Sequence, residues 1–485
     1  MLLVHPIREL MRFLPALIGL FVAGAATGRS GWFQLVVVVV PVALGLGRYY
    51  TTRYRIHADR VELKRGLLST HILSTPLDRV RTVDLTASPI HRILGLSTVR
   101  VGTGTAAKLG EDGLDLDGLP AERARALRAE LLSSIAPAAT VADPVTGEPL
   151  PVAGGERLVA RFEPGWLRYA PFTSAGLVMV AGILGVGSQV LDGLGLFDDL
   201  DGQAIDSVLT GLGALVVLPA ALLGVGLLVA VLSVLGYLIS NGNFALSHTL
   251  PDGSWHVRRG LLTTRETSLD DDRLRGVAIG EPWGLTLVRG GRLSAIVTGL
   301  NRSESGSSAL LPPTPRALVD RVAGDVIGTP APVHARLSDH GTPARTRRYT
   351  RALVPAAVLA LGPVALAFAL DRGWIAALAV VPLALGLALG HDRARSLGHA
   401  LVDGWLVARS GSLMRKRELL ATDAIIGWNL RSTWFQRRVG LATLVATTAG
   451  GNQSITVLDV PDTDAVDVAA AAVPGLLDQF THRAT

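Results

Sequence analysis

Residues 54–105 read YRIHADRVELKRGLLSTHILSTPLDRVRTVDLTASPIHRILGLSTVRVGTGT. Val, Ile, Leu and Thr dominate, and Asp, Gly and Pro interrupt them at short spacing, the pattern of short strands joined by tight turns. The hexapeptide RGLLST at 65–70 returns as RGLLTT at 259–264 and more loosely as SGSLMR at 410–415. With Gly66, Gly260 and Gly411 as origins, Asp59, Gly253 and Gly404 lie seven residues upstream, in turn sequences between strands. Arg79 and Arg81, then Arg273 and Arg275, lie thirteen and fifteen residues downstream in the first two stretches. Gly95 and Gly440 follow their origins by 29 residues, and the second stretch reaches Gly290 after one extra residue. The hexapeptide glycine is expected at positive φ, where the absence of a Cβ removes the steric cost. Each stretch runs into a Pro-initiated helical segment, at 119–135, 312–328 and 460–480.

An apolar pair precedes each β stretch. Runs without Asp, Glu, Lys or Arg occur at Phe13–Gly28, Trp32–Gly47, Tyr169–Leu191, Ser207–Ser240, Ala352–Leu370 and Gly373–Gly390. A helix of roughly 17–25 residues crosses the hydrocarbon of a bilayer, so six spans in three hairpins are expected. The first run, with Arg8 and Arg12 before it, also fits a cleaved leader, but the hairpin pattern recurs twice more. The chain has 485 residues, is 49% hydrophobic and only 18% charged, which separates it from an ordinary set of soluble domains. The three hairpin tips hold Arg29, then Asp192, Asp198, Asp199, Asp201 and Asp206, then Asp371 with Arg372, and are acidic in sum. Arg8, Arg12, Arg48, Arg53, Arg345 to Arg351, Arg393 and Arg395 flank the opposite ends. Positive residues stay inside, which puts both termini and the β stretches on the cytoplasmic face of the cell membrane. There is no cysteine, which excludes disulfides, thiol chemistry and Cys-based zinc sites.

The stretch at 54–105 resembles the bacterial pleckstrin-homology-like domain of the YdbT-like membrane proteins, through Arg65–Leu68, Pro76–Arg79, Ser88–Pro89, Arg92 and Leu94–Leu96. The second stretch departs from that pattern with EPWG at 281–284, and the third has ATDAIIGW at 421–428 in place of PLxR. The resemblance implies several domains per chain, each a bent antiparallel β-barrel or sandwich closed by a C-terminal helix and following a membrane hairpin. The expected fold is therefore an α+β membrane protein with three repeats of hairpin and PH-like domain, six transmembrane helices in all. The expected boundaries are 1–50 hairpin, 51–137 PH-like domain, 138–165 linker, 166–240 hairpin with an acidic outer loop, 241–330 PH-like domain, 331–348 linker, 349–392 hairpin and 393–485 PH-like domain.

Catalytic groupings are poor. LDLD at 114–117 and LDDDRLR at 269–275 bring carboxylates together in a loop and beside arginines, where solvated charge pairs are the simpler account. His334, His340, His391 and His399 lack the spacing of a zinc site, and GTGT at 102–105 lacks the Lys of a phosphate loop. No enzyme activity, metal or cofactor is expected, and with 5% aromatic residues no nucleic-acid stacking platform is visible. What remains is a basic cytoplasmic surface: Lys64, Arg65, Arg79 and Arg81; Arg258, Arg259, Arg273 and Arg275; Arg415, Lys416 and Arg417. Such residues near an anionic leaflet attract phosphorylated headgroups. The competing account is a solvated face with local ion pairs to Glu62, Asp78, Asp270 or Glu418. The functional expectation is a scaffold in envelope homeostasis or stress protection that binds anionic lipid headgroups, a membrane-protein partner or further copies of itself. The alternative is a transporter or lipid-moving protein gated by the β domains, which needs ionisable groups inside the spans that the six runs lack.

Overall fold

A computed structural model describes residues 53–56, 60–65, 71–76, 82–102, 114–133, 140–142, 149–151, 155–173, 214–250, 253–298, 308–449 and 454–476. The chain divides into two compact units, residues 1–268 and 269–485.

In the first unit, β1 (Arg53–Ile56), β2 (Arg60–Arg65) and β3 (His71–Pro76) form one antiparallel sheet. Next come β4 (Thr82–Ala87), the short helix α1 (Pro89–Ile93), β5 (Leu96–Gly102), β6 (Leu114–Pro120) and the closing helix α2 (Ala121–Ser133). The stretch expected as a linker holds β7 (Thr140–Ala142), β8 (Pro149–Pro151) and β9 (Gly155–Arg161), followed by a 3-10 turn at Pro164–Phe172. After helix α3 (Ala214–Asn241) come β10 (Ala245–Leu250), β11 (Ser254–Arg259) and β12 (Thr264–Asp270). Seven of these strands form one sheet in the order β6-β5-β4-β12-β11-β10-β9.

Residues 155–173 therefore form a strap. β9 pairs with β10, and Trp166 of the 3-10 turn is buried edge-on against Phe162 and Phe244, with ring centroids 6.0 and 5.7 Å away. Tyr169, expected at the start of a span, is buried in that turn, because an aromatic residue beside a sheet edge finds more apolar area to cover there.

The second unit holds β13 (Leu274–Pro282), α4 (Trp283–Leu287), β14 (Gly290–Val297), β15 (Ala309–Pro315), α5 (Arg316–Ile327) and α6 (Ala331–His334). A helical hairpin follows: α7 (Gly341–Ala369), a 3-10 turn at Gly373–Ala379 and α8 (Val380–Arg395). The chain continues through β16 (Gly398–Val402), β17 (Trp405–Ser410), β18 (Met414–Ala421), β19 (Gly427–Arg431), α9 (Trp434–Arg437), β20 (Leu441–Thr447), β21 (Ser454–Pro461) and α10 (Asp462–Ala472). One sheet runs β15-β14-β13-β18-β17-β16 and another β19-β20-β21. Leu406 and Leu420 from the first, Leu444, Ile455 and Val457 from the second, and Ala465, Ala469 and Ala472 from α10 make a common core. Alternation along β21 turns one face to this core, whereas β17 buries Leu406, Val407 and Ala408 in succession and is covered on both faces there.

The same order of three strands, a strand, a short helix, two strands and a closing helix thus occurs three times. A shared hydrogen bond marks it. The N–H of Ala121, Arg316 and Asp462, the first residue of each closing helix, donates to the carbonyl of Gly95, Arg289 and Gly440 at 2.9, 3.0 and 3.1 Å. Those three acceptors have φ of 66°, 54° and 64°, and each lies 29 residues after its hexapeptide glycine. The second stretch therefore has no extra residue: Arg289 itself takes the left-handed conformation, and Gly290 begins β14.

Among the described residues three helices are long and apolar enough to cross a membrane, at Leu223–Asn241, Gly341–Ala369 and Gly373–Arg395. Leu223, Leu227, Val358, Leu361, Phe368, Val381 and Leu385 on them are exposed, as side chains facing lipid are. The runs at 13–28 and 32–47 and most of 169–191 lie outside the described residues. Helices α7 and α8 pack along small residues: a Cβ on Gly386 would come 2.5 Å from that of Ala356, and one on Gly390 would come 2.9 Å from the Tyr349 ring. The Gly386 and Gly390 spacing is thus a packing seam.

The hexapeptide glycine is fixed by the same geometry twice. Gly260 and Gly411 have φ of 106° and 104°, and an added Cβ would sit 1.9 and 2.4 Å from the carbonyl oxygens of Thr263 and Met414. Replacing Gly411 by Ala is expected to cost about 1–3 kcal/mol through this clash and the unfavourable φ. Thermal unfolding of the detergent-solubilised chain checks it, with Gly362→Ala, whose added Cβ meets nothing within 4 Å, expected to leave the midpoint within a degree or two of the parent.

Candidate functional site

The hexapeptide turn ties a β unit to its membrane helix. The last carbonyls of a helix lack partners inside it. At the end of α3, the N–H of Gly260 donates to Gly242 (2.8 Å) and that of Leu261 to Ile239 (2.9 Å), while Arg92 Nη1 donates to the Leu261 carbonyl (2.8 Å). At the end of α8, the Ser396 hydroxyl donates to the carbonyl of Gly411, and Arg415 pairs with Asp392. Glycine and its neighbours therefore serve as a socket for a helix end.

The basic residues singled out in the sequence divide accordingly. Arg79 and Arg81 lie outside the described residues, and Lys64 and Arg65 are placed only as backbone on β2. Arg258 is exposed and 3.5 Å from Glu266, Arg273 is 3.6 Å from Asp270, Arg275 is 3.7 Å from Asp423, and Lys416 pairs with Glu418. Burial, with Arg265 nearby, lowers the pKa of Arg259. Asp270 caps the turn of the LDDDR run, accepting from the N–H of Asp272 at 3.3 Å, and burial raises its pKa. Arg417 differs from the rest: it donates to the carbonyls of Pro332 and Ala335 at 3.0 and 2.9 Å and lines a cavity.

That cavity, of about 650 Å³, lies at the base of the α7–α8 hairpin where it meets β17 and β18. Arg336, Arg345, Arg395, Arg409 and Arg417 line it, with Asp339, Tyr349 and His391. Asp339 is the one carboxylate among these and is bonded to Arg345 at 2.5 Å. Tyr349 Oη and His391 Nδ1, 2.8 Å apart, join the two helices across its membrane side. The Nε of Arg409 and of Arg417 are buried with no hydrogen-bond acceptor among the described residues. Burial, with Arg316 and Arg409 adjacent, pushes Arg417 down to about 10; burial, with Arg415 and Arg316, lowers Arg409. Both remain cationic at neutral pH, crowded and poorly solvated, so an anion entering the cavity relieves both penalties. Exposed Val354 and Leu387 lie five and four residues along their helices from Tyr349 and His391, about 6–8 Å of rise, so the basic cavity adjoins the apolar belt.

Behind the cavity, buried polar groups lock the hairpin to the third β unit. Asp459, 1% exposed and at φ 50°, faces Arg347 at 3.0 Å and Arg348 at 2.5 Å, and accepts from Gln436 Nε2 at 2.7 Å. His340 and His399 are also brought together. The Leu458 carbonyl can only accept, so His340 Nδ1–H donates to it (2.9 Å) and His340 Nε2 accepts from His399 Nδ1–H (2.8 Å). His334 is exposed outside this pair. Sequence reasoning counted Arg345 and Arg395 only as flanking charges and missed Arg336, Arg409 and Asp459. The LDVPD run at 458–462 gave no local sign that its first Asp would be buried.

Residues 12–135 and 354–471 match a family model described as bacterial PH domain. Both stretches are bacterial PH domains. The matches begin just before the first apolar run, at Arg12, and within a later one, at Val354; each ends in or just beyond a closing helix, and the middle β unit is outside both. No curated protein and no solved structure gives a match.

Two outcomes test this site. Asp459→Ala strands two half-buried arginines and is expected to destabilise the protein by about 3–5 kcal/mol in chemical unfolding. Burial, with His340 adjacent, lowers the pKa of His399 to about 4, and burial lowers that of His340. Their stabilising contribution is complete above about pH 6.5 and is lost as pH falls toward about 4, because the unfolded imidazoles take up protons first. The melting temperature is expected to fall over that window and to fall less in His399→Gln.

Proposed function

We propose that this bacterial PH-domain protein is a non-enzymatic membrane scaffold that holds an anionic lipid headgroup in the arginine cavity at the base of the α7–α8 hairpin. One observation carries the reading: five arginines and a single, already paired carboxylate surround a 650 Å³ space next to lipid-facing side chains. Basic pockets between membrane helices at the cytoplasmic boundary suit phosphate-bearing headgroups, and guanidinium groups meet phosphate oxygens in bidentate fashion. The tight Gly386 and Gly390 seam supports a static anchor over a substrate path.

The reading includes the full architecture. Residues 241–330 are a diverged third PH-like domain, supported by the shared closing-helix hydrogen bond at Arg289. Six spans place both termini and all three β units on the cytoplasmic face, supported by the arginines at the hairpin base.

Thermal unfolding of the purified full chain with added dioctanoyl-phosphatidylglycerol or dioctanoyl-phosphatidylcholine tests the headgroup site. The anionic lipid is expected to raise the midpoint by several degrees and the zwitterionic lipid by much less. The double variant Arg336→Gln/Arg395→Gln, whose side chains are exposed at the cavity mouth, is expected to keep the parent midpoint without lipid and lose most of the rise. An equal rise in parent and variant, or from both lipids, would overturn the reading.

A further inference from the structure

The β units are joined edge to edge, and the joint has the same register both times. β4 pairs with β12, setting Thr86 opposite Arg265; these residues lie 20 and 5 positions after Gly66 and Gly260. β13 pairs with β18, setting Gly280 opposite Lys416, again 20 and 5 positions after Gly260 and Gly411. The first strand of each rear sheet thus receives the third strand of the next unit's front sheet. Two strands are left over at the ends of this series. β3 is the outer strand of β1-β2-β3, β19 is the outer strand of β19-β20-β21, and neither has a partner on its outer side among the described residues.

The open edge at β19 carries the side chain that the closed joints cover. Leu85, Ile279 and Leu430 each lie 19 positions after their glycine; the first two are 7% and 0% exposed, and Leu430 is 50% exposed. Ile426, just before β19, is 66% exposed. A row of free backbone groups beside uncovered apolar side chains is a template for an incoming strand.

We infer that β19 of one molecule pairs antiparallel with β3 of a second copy, repeating the joint used twice inside the chain. The shared register sets Arg431 opposite His71 and Leu430 opposite Ile72. Because the two surfaces differ, the contact is head-to-tail and builds a row or a closed ring of copies in the membrane plane.

The absence of cysteine makes the test direct. Two differently tagged full-length chains, Arg431→Cys and His71→Cys, are co-expressed and their membranes treated with a mild oxidant. Directly opposed residues are about 4.5–5.5 Å apart at Cα, within disulfide reach. Cross-linked heterodimer is expected, at least several-fold above that from Arg431→Cys with Ser74→Cys, which the register places about 10 Å out of line. Adding Leu430→Lys to the Arg431→Cys chain is expected to remove most of the product, with the melting temperature of the chain retained. No heterodimer, equal product with Ser74→Cys, or a cross-link seen only when both cysteines share one chain would overturn the inference.

Discussion

A three-stranded antiparallel sheet ends in rows of N–H and C=O groups that pay for isolation in free energy. This chain meets that cost by laying β4 on β12 and β13 on β18, with the same pairing both times. Closeness at the joint explains a glycine inside a strand: a Cβ on Gly276 would come 2.0 Å from the carbonyl oxygen of Leu419. Successive β units are consequently parts of shared sheets, and each of the two compact units contains one joint.

Helix ends impose a parallel demand. Carbonyls at the end of α3 are met by N–H groups of the Gly260 turn, and the corresponding place at α8 is held by Ser396 and Arg415. The turn approaches the helix, and its own tightness selects glycine at positive φ, because a Cβ there would meet the carbonyl of Thr263 or Met414 within the turn. The same closeness gathers arginines where the helices leave the apolar belt. Arg345, Arg347, Arg348 and Arg415 find carboxylates, but Arg409 and Arg417 are drawn under the hairpin with Nε groups that have no acceptor among the described residues. A basic cavity there follows from the way the hairpin base and the β unit are locked together by Asp459 and the His340–His399 pair.

Much of this was legible in local sequence. Runs of Val, Ile, Leu and Thr broken by turn residues marked the strands, Gly260 and Gly411 marked the turns, and Pro315 and Pro461 stand at the N-caps of their closing helices as the Pro-initiated segments suggested. Other features left no local trace. Arg289 occupies a position that Gly95 and Gly440 fill elsewhere, and only the hydrogen bond to Arg316 shows the equivalence. Residues 155–161 read as linker because a strand of seven residues that completes someone else's edge needs no strong pattern of its own.

By itself the sequence determined the periodicities: strand, turn, closing helix and the apolar helices, each set by interactions within a few residues along the chain. Tertiary structure alone decided which arginines are neutralised and which line a cavity, because the partner of a long side chain is chosen by elements far apart in sequence. Arg417 shows this: two neighbours in β18 find carboxylates, while it meets carbonyls 85 and 82 residues away.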